Sequence, residues 1–139
     1  MISRKTQATW TGALEDGDGH LESNALDASY SFASRFAAGD GVSPEELIGT
    51  AHAGCYSMAL AHELDEAGYT PVSVRSTADV HFDPKALSIT KIELRTEATV
   101  DGIDEQTFQD IAEAAKDGCP VSKALAGTEI QLVSARLEN

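Results

Sequence analysis

The sequence predicts an α+β domain in which an antiparallel sheet carries a buried central helix. Three observations lead there. Residues 43–67 read as one helix with both ends signalled, and positions 47–61 of it hold no Asp, Glu, Lys or Arg. Two stretches, 72–82 and 91–100, alternate apolar and polar side chains with the period of a strand. Residues 104–116 place their apolar side chains with the period of a helix. At 139 residues the chain can bury a real core, and residues 1–139 are expected to form a single domain.

The elements can be justified in order. Residues 7–11 form a short strand. Glu15-Asp16-Gly17-Asp18-Gly19 superficially resembles a calcium loop, but the ligand series is not continued and no bidentate Glu closes it. Its chemistry is that of a hairpin turn. Residues 20–23 and 29–36 read as two more strands, followed by a loop. Ser43 then suits an N-cap, Pro44 the first helical position, and Glu46 the far side of a capping box. Gly68 can take the left-handed conformation that ends the helix. Between those ends, Gly49, Ala51, Ala53, Gly54, Ala59 and Ala61 lie among Leu47, Ile48, Met58 and Leu60. A helix apolar on most of its circumference is expected to be buried, and this one is too short and too polar to span a membrane. Next, Val72, Val74, Ser76, Ala78, Val80 and Phe82 face inward on one strand, and Ile92, Leu94, Thr96, Ala98 and Val100 on its antiparallel partner. Helix 104–116 buries Phe108, Ile111, Ala112 and Ala115. Cys119 caps a short helix opened by Pro120, and residues 129–137 close the chain as a strand with Ile130, Leu132 and, more weakly, Ser134 inward. The order is β-β-β-α-β-β-α-α-β.

Composition narrows the function. Ten basic against 23 acidic residues give a net charge of −13, which disfavours nucleic acid and anionic membranes as partners. No apolar run follows Met1-Ile2-Ser3-Arg4-Lys5, so no secretory signal is expected, and the location read from the sequence is cytoplasmic. Two cysteines are too few for a disulfide scaffold; in a reducing compartment they are free core thiols, or catalytic or redox-active ones. The histidines and cysteines lack zinc spacing, and His62-Glu63 lacks the second His of a metalloprotease motif. On residue type alone, Cys55 is core, Arg35 a surface strand residue and Glu45 a favourable charge at a helix start. His52, one helical turn before Cys55, raises a Cys–His hydrolase dyad as an alternative, though no third orienting group is evident.

The run Pro44-Glu45-Glu46-Leu47-Ile48-Gly49-Thr50-Ala51-His52-Ala53-Gly54-Cys55-Tyr56-Ser57-Met58-Ala59-Leu60 resembles the osmotically inducible protein C (OsmC) family, which includes the organic hydroperoxide resistance proteins. So do Lys116-Asp117-Gly118-Cys119-Pro120-Val121-Ser122, Gln7-Ala8-Thr9-Trp10-Thr11-Gly12, Ser34-Arg35-Phe36 and Ser76-Thr77-Ala78-Asp79-Val80. The resemblance covers essentially the whole chain and is closer to the osmotically inducible branch. It implies a thiol peroxidase that reduces organic hydroperoxides and works as an intertwined homodimer. Cys55 matches the peroxidatic cysteine and Cys119 the resolving one; Arg35 and Glu45 match the assisting arginine and glutamate. The resemblance also implies no bound cofactor and no metal, with an external lipoyl-type dithiol, free or on a lipoylated protein, as reductant. A non-catalytic, stress-induced ligand-binding or structural domain is the alternative from another class.

The chemistry fits these residue types. A thiolate attacks one oxygen of the peroxide and becomes a sulfenic acid. A buried thiol needs a cation to ionise, and Arg35 can supply a permanent one that Glu45 would hold in a bidentate ion pair. Glu45 and Cys55 are ten residues apart, about 15 Å along one helix. A continuous helix therefore keeps Glu45 from serving Cys55 of its own chain. The expected site is composite, with Arg35 and Glu45 supplied by the partner subunit and Gly49, Ala53 and Gly54 permitting two central helices to approach.

Overall fold

The computed structural model describes all residues, Met1–Asn139. It is α+β, with two three-stranded sheets and four helices. The chain divides into two compact units, Met1–Leu47 and Ile48–Asn139.

The first unit holds an antiparallel meander of β1 (Thr6–Thr11), β2 (Asp18–Ser23) and β3 (Asp27–Tyr30). The hairpin connection expected over Glu15–Gly19 runs from Gly12 to Gly17; Asp18 and Gly19 already pair with Thr11 and Trp10 in the ladder. The strand expected over 29–36 is corrected: it ends at Tyr30 and is followed by a helical turn, α1 (Phe32–Phe36). The cause is a reciprocal cap. Ser31 Oγ accepts from the Ser34 N–H at 3.0 Å, and Ser34 Oγ accepts from the Ser31 N–H at 2.8 Å. Two serines three apart satisfy orphan donors that a strand would have left to a neighbour. Arg35 thus stands on a helix, not on a strand.

Helix α2 (Pro44–Glu66) begins as expected, with the Glu46 N–H donating to Ser43 Oγ at 3.1 Å. It ends in a Schellman arrangement. The Tyr69 N–H reaches Leu64 O at 2.9 Å, the Gly68 N–H reaches Asp65 O at 3.0 Å, and Gly68 has φ +90.

In the second unit, β4 (Pro71–Asp83) pairs antiparallel with β5 (Ser88–Val100), which pairs parallel with β6 (Glu129–Leu137). The expectation of a single antiparallel sheet is corrected on both counts. The connection permits the parallel pair: α3 (Glu105–Gly118) and α4 (Pro120–Ala124) lie between β5 and β6, and parallel strands need a crossover of a dozen residues or more. Inward positions are as read on β5. On β4 the alternation starts only at Val74, because a register shift between Pro71 and Ser73 leaves Val72 exposed. On β6 a shift beside Leu94 gives the inward place to Ala135 rather than Ser134.

The core gathers Tyr56, Leu60 and Leu64 from α2, Leu94, Ala98 and Val100 from β5, and Phe108, Ala112 and Ala115 from α3. Gly49 brings α2 against β4; a Cβ there would lie 3.2 Å from Val80 Cγ2 and 3.4 Å from Ala78 O. A hydroxyl chain continues the contact, from Ser57 to Ser76 at 2.8 Å and from Ser76 to Thr96 at 3.0 Å. The expectation of a helix buried all round holds on one side only. Gly49, His52, Tyr56, Leu60 and Leu64 are buried, whereas Thr50, Ala51, Gly54 and Met58 are exposed, Met58 at 77%. One chain supplies one packing layer to this helix. The uncharged outer face is left to solvent.

Candidate active site

Two constellations carry the residues singled out from the sequence, one in each unit. In the second unit, α2 presents Cys55 and the junction of α3 and α4 presents Cys119. Both are free thiols, and their sulfurs share a hydrogen bond at 3.1 Å. A disulfide needs about 2.05 Å between sulfurs, so a movement of about 1 Å would close this one. Cys119 is placed by the chain reversal that Pro120 imposes: it ends α3 and caps α4.

The two thiols differ in acidity. Burial, then the hydrogen bond with Cys119, pushes the Cys55 thiol up. Burial also works to raise Cys119, but hydrogen bonding from Cys55 and from the Ser122 and Val121 groups outweighs it and leaves this thiol below its ordinary value. Tyr56, packed beneath, donates its hydroxyl to Ala112 O at 2.9 Å.

His52 does not pair with Cys55. Its ring is fully buried, and Nε2 lies 2.7 Å from Ser122 Oγ, while Nδ1 has no partner. Burial holds its pKa below the ordinary histidine value. This geometry removes the nucleophile–base contact on which the hydrolase alternative rests. Ser122 escaped sequence reading, where a serine in the first turn of a helix passes for a polar surface residue.

In the first unit, Arg35 Nε and Nη2 both donate to Oε1 of Glu45, at 3.1 and 2.8 Å. The expected ion pair is present, but the guanidinium fork converges on one carboxylate oxygen instead of matching two. Glu45 is 7% exposed, deep for a carboxylate. The Arg35 guanidinium also lies 5.4 Å from the Phe36 ring centroid. Beside it opens a cavity of about 350 Å³ lined by Trp10, Leu14, Tyr30, Phe32, Arg35 and Phe36.

An α+β fold that brings a cysteine of one helix within hydrogen-bond reach of a second at a helix junction has the elements of a cysteine redox protein, and comparison with known proteins gives the family. The profile of the OsmC-like protein family matches residues 37–133. The chain is 49% identical over 129 residues to "Peroxiredoxin OsmC" of Escherichia coli, covering 89% of this chain and 90% of that protein, and equally to its Shigella flexneri counterpart. The chain belongs to the OsmC-like family. Among solved structures, the OsmC-like protein of Mycoplasma pneumoniae superposes with a TM-score of 0.77 at 14% identity over 99% of both chains. The organic hydroperoxide resistance protein OhrB of Bacillus subtilis does so with a TM-score of 0.65 at 23% identity, over 96% of this chain and 98% of that one. These two share the fold.

Proposed function

We propose that this protein is a cysteine-based peroxidase that reduces organic hydroperoxides. The observation that carries the reading is the pair of free sulfurs of Cys55 and Cys119, 3.1 Å apart although 64 positions separate them in the chain. The peroxiredoxin name of its 49%-identical relative supports it. The Cys55 thiolate attacks one peroxide oxygen, the O–O bond breaks, and the departing alkoxide takes a proton to leave as alcohol. Cys55 is now a sulfenic acid. The Cys119 thiolate attacks that sulfur, the S–O bond breaks, and the hydroxyl leaves as water with one proton. An external dithiol of lipoyl type, free or on a lipoylated protein, exchanges twice with the disulfide, restores both thiols and becomes a disulfide itself.

Burial pushes the Cys55 thiol up, so its role requires a cation. Arg35 is that cation, held by Glu45, and the partner subunit supplies both. Helix α2 is continuous from Pro44 to Glu66, which keeps Glu45 about 15 Å along the axis from Cys55 of its own chain. The uncharged exposed face of α2 with Gly54 and Met58 forms the seam of the homodimer. The cavity beside Arg35 takes the apolar tail of the hydroperoxide. Residues 1–139 act as one domain, in the cytoplasm, with no bound cofactor or metal; no helix is long and apolar enough to cross a membrane.

The test is consumption of an alkyl hydroperoxide with dihydrolipoamide as reductant. The unmodified protein turns over, and Cys119→Ser stalls after one turnover with a sulfenic acid on Cys55. Full activity in Cys55→Ser, or hydroperoxide binding without turnover in the unmodified protein, would overturn the reading and favour a non-catalytic binding domain.

A further inference from the structure

We propose that the external dithiol reopens the Cys55–Cys119 disulfide at the sulfur of Cys55, so that Cys119 is the leaving thiolate and never carries the mixed disulfide. This step belongs to the cycle proposed above and rests on that reading of the two cysteines; it adds the sulfur at which the reductant enters. Exchange rates depend on which sulfur of a disulfide is attacked and on access to it, and here access is unequal. Cys119 is 0% exposed and belongs to the core cluster with Tyr56, Phe108, Ala112 and Ala115. Cys55 is partly exposed and only rests against that cluster. On α2 it lies between exposed Gly54 and buried Tyr56, at the border of the helix's two faces.

Backbone bonds hold Cys119 in place. Its N–H donates to Ala115 O, and its own O accepts from the Lys123 N–H, both at 3.0 Å. The residue is thus held by the last turn of α3 and the first turn of α4 at once, and a swing to the surface would break both. Closing the disulfide takes about 1 Å of movement from the present 3.1 Å, too little to expose a fully buried sulfur. A partner subunit laid on α2 can only cover the sulfurs further. It must still leave a path to Cys55, because the hydroperoxide reaches that sulfur in the first half of the cycle. The reductant uses the same path once the alcohol has gone. One reductant thiolate attacks Cys55 Sγ, the bond between the two protein sulfurs breaks, and its electron pair leaves on Cys119, which takes up a proton. The second reductant thiol gives up its proton and attacks the first reductant sulfur, the bond to Cys55 breaks, and Cys55 departs as a thiolate. The protein is reduced and the reductant leaves as its own disulfide. A monothiol bound at Cys55 has no such exit and is expelled again by Cys119, whose sulfur stays beside it.

Diamide makes the disulfide without hydroperoxide, so the unmodified protein can be tested apart from turnover. The oxidised protein is exposed briefly to β-mercaptoethanol at neutral pH, quenched with excess N-ethylmaleimide at a series of times, digested and mapped by mass spectrometry. Extrapolated to the earliest time, mercaptoethanol should sit on Cys55 and maleimide on Cys119, in about tenfold excess or more over the reverse pattern, since exchange follows access. Equal labelling, or an excess of mercaptoethanol on Cys119, overturns the inference and leaves the peroxidase reading standing. If diamide forms no Cys55–Cys119 disulfide, both fall. Single-cysteine proteins give a second measurement that re-closure of the disulfide cannot mask. Relative to the chain unfolded in urea, the thiol left in Cys55→Ser should be protected from iodoacetamide about tenfold more than the thiol left in Cys119→Ser. Circular dichroism confirms that both are folded, and equal protection overturns the inference.

Discussion

The two units of the chain are held together differently. In residues 1–47 only Gly19 and Glu45 are buried, and strand β1 is exposed at five of its six positions. In residues 48–139, strand β5 buries every second side chain, and a continuous cluster joins α2, β5 and α3. A three-stranded sheet without a packed face is marginal on its own. Cys55 and Cys119 therefore sit in the part of the molecule that packs densely by itself, and Arg35, the cation proposed to serve them, sits in the part that does not. The sulfurs are fixed by one chain's own fold. The placing of Arg35 is left open to assembly, which a composite site would exploit.

The largest effect expected is in the dense unit. Cys55→Ser should lower peroxide consumption by on the order of a thousandfold or more, as loss of a nucleophile does elsewhere, with the fold intact by circular dichroism. Next, Arg35→Met should reduce the rate of Cys55 oxidation by roughly a hundredfold, since it removes the stabilising charge from a buried thiolate. Mixing these two inactive proteins separates a site within one chain from a site between chains. After subunit exchange a mixed dimer has one site with both Cys55 and Arg35 if the partner supplies the arginine, so about a quarter of the normal activity returns. If each chain serves itself, nothing returns, and the composite site is wrong.

The sequence made much of this legible, and the exceptions have physical causes. The ends of α2 could be read because Ser43, Pro44 and Gly68 act locally, through caps and backbone freedom. Strand β5 could be read because both its faces have neighbours of known polarity. Helix α1 was missed because aromatic Phe32 and Phe36 look like strand residues, while the Ser31–Ser34 cap that decides the matter is a weak pattern beside them. The register shifts at Val72 and Val133 were invisible because a bulge breaks the in–out alternation of a strand without a mark in residue type. Cys55, Cys119, Arg35 and Glu45 became candidates through the family resemblance, since residue type alone reads Cys55, Arg35 and Glu45 as a core residue, a surface residue and a helix-start charge. The contact of Ser122 with His52 was not legible, since it exists only through a fold that brings α4 beside α2.

The same contrast between units predicts stability. Leu60 is fully buried in the core, and Leu60→Ala should cost about 2–5 kcal/mol in chemical denaturation. Thr9→Ala, on an exposed position of β1, should stay within about 0.5 kcal/mol. If the two costs match, the first unit has a core of its own and the comparison fails. Dilution sharpens it further. If the chain forms the proposed homodimer, hydrogen exchange on dilution should accelerate in β1–β3 before it does in β4–β6, because mass action removes support from the less densely packed unit.

The smallest effect asks whether surface charge, and not packing, holds the second unit. Glu93 on β5 pairs with His81 at 2.6 Å and lies 3.8 Å from Arg95 and 4.0 Å from Lys91. The hydrogen bond from His81, followed by its cationic neighbours, holds the Glu93 carboxyl below its ordinary value against the opposing effect of desolvation. A carboxyl depressed in the folded state contributes stability above the unfolded carboxylate value and loses it as pH falls through the folded value. Glu93→Gln should therefore lower the melting temperature slightly at neutral pH, and the two curves should converge in acid once the native carboxyl is protonated. The gap should be small beside that of Leu60→Ala, because ion pairs reached by solvent are screened. A gap as large as the Leu60→Ala loss would mean that the charged face of the sheet holds the second unit, and the burial of its alternate positions would no longer explain why it is the firmer of the two.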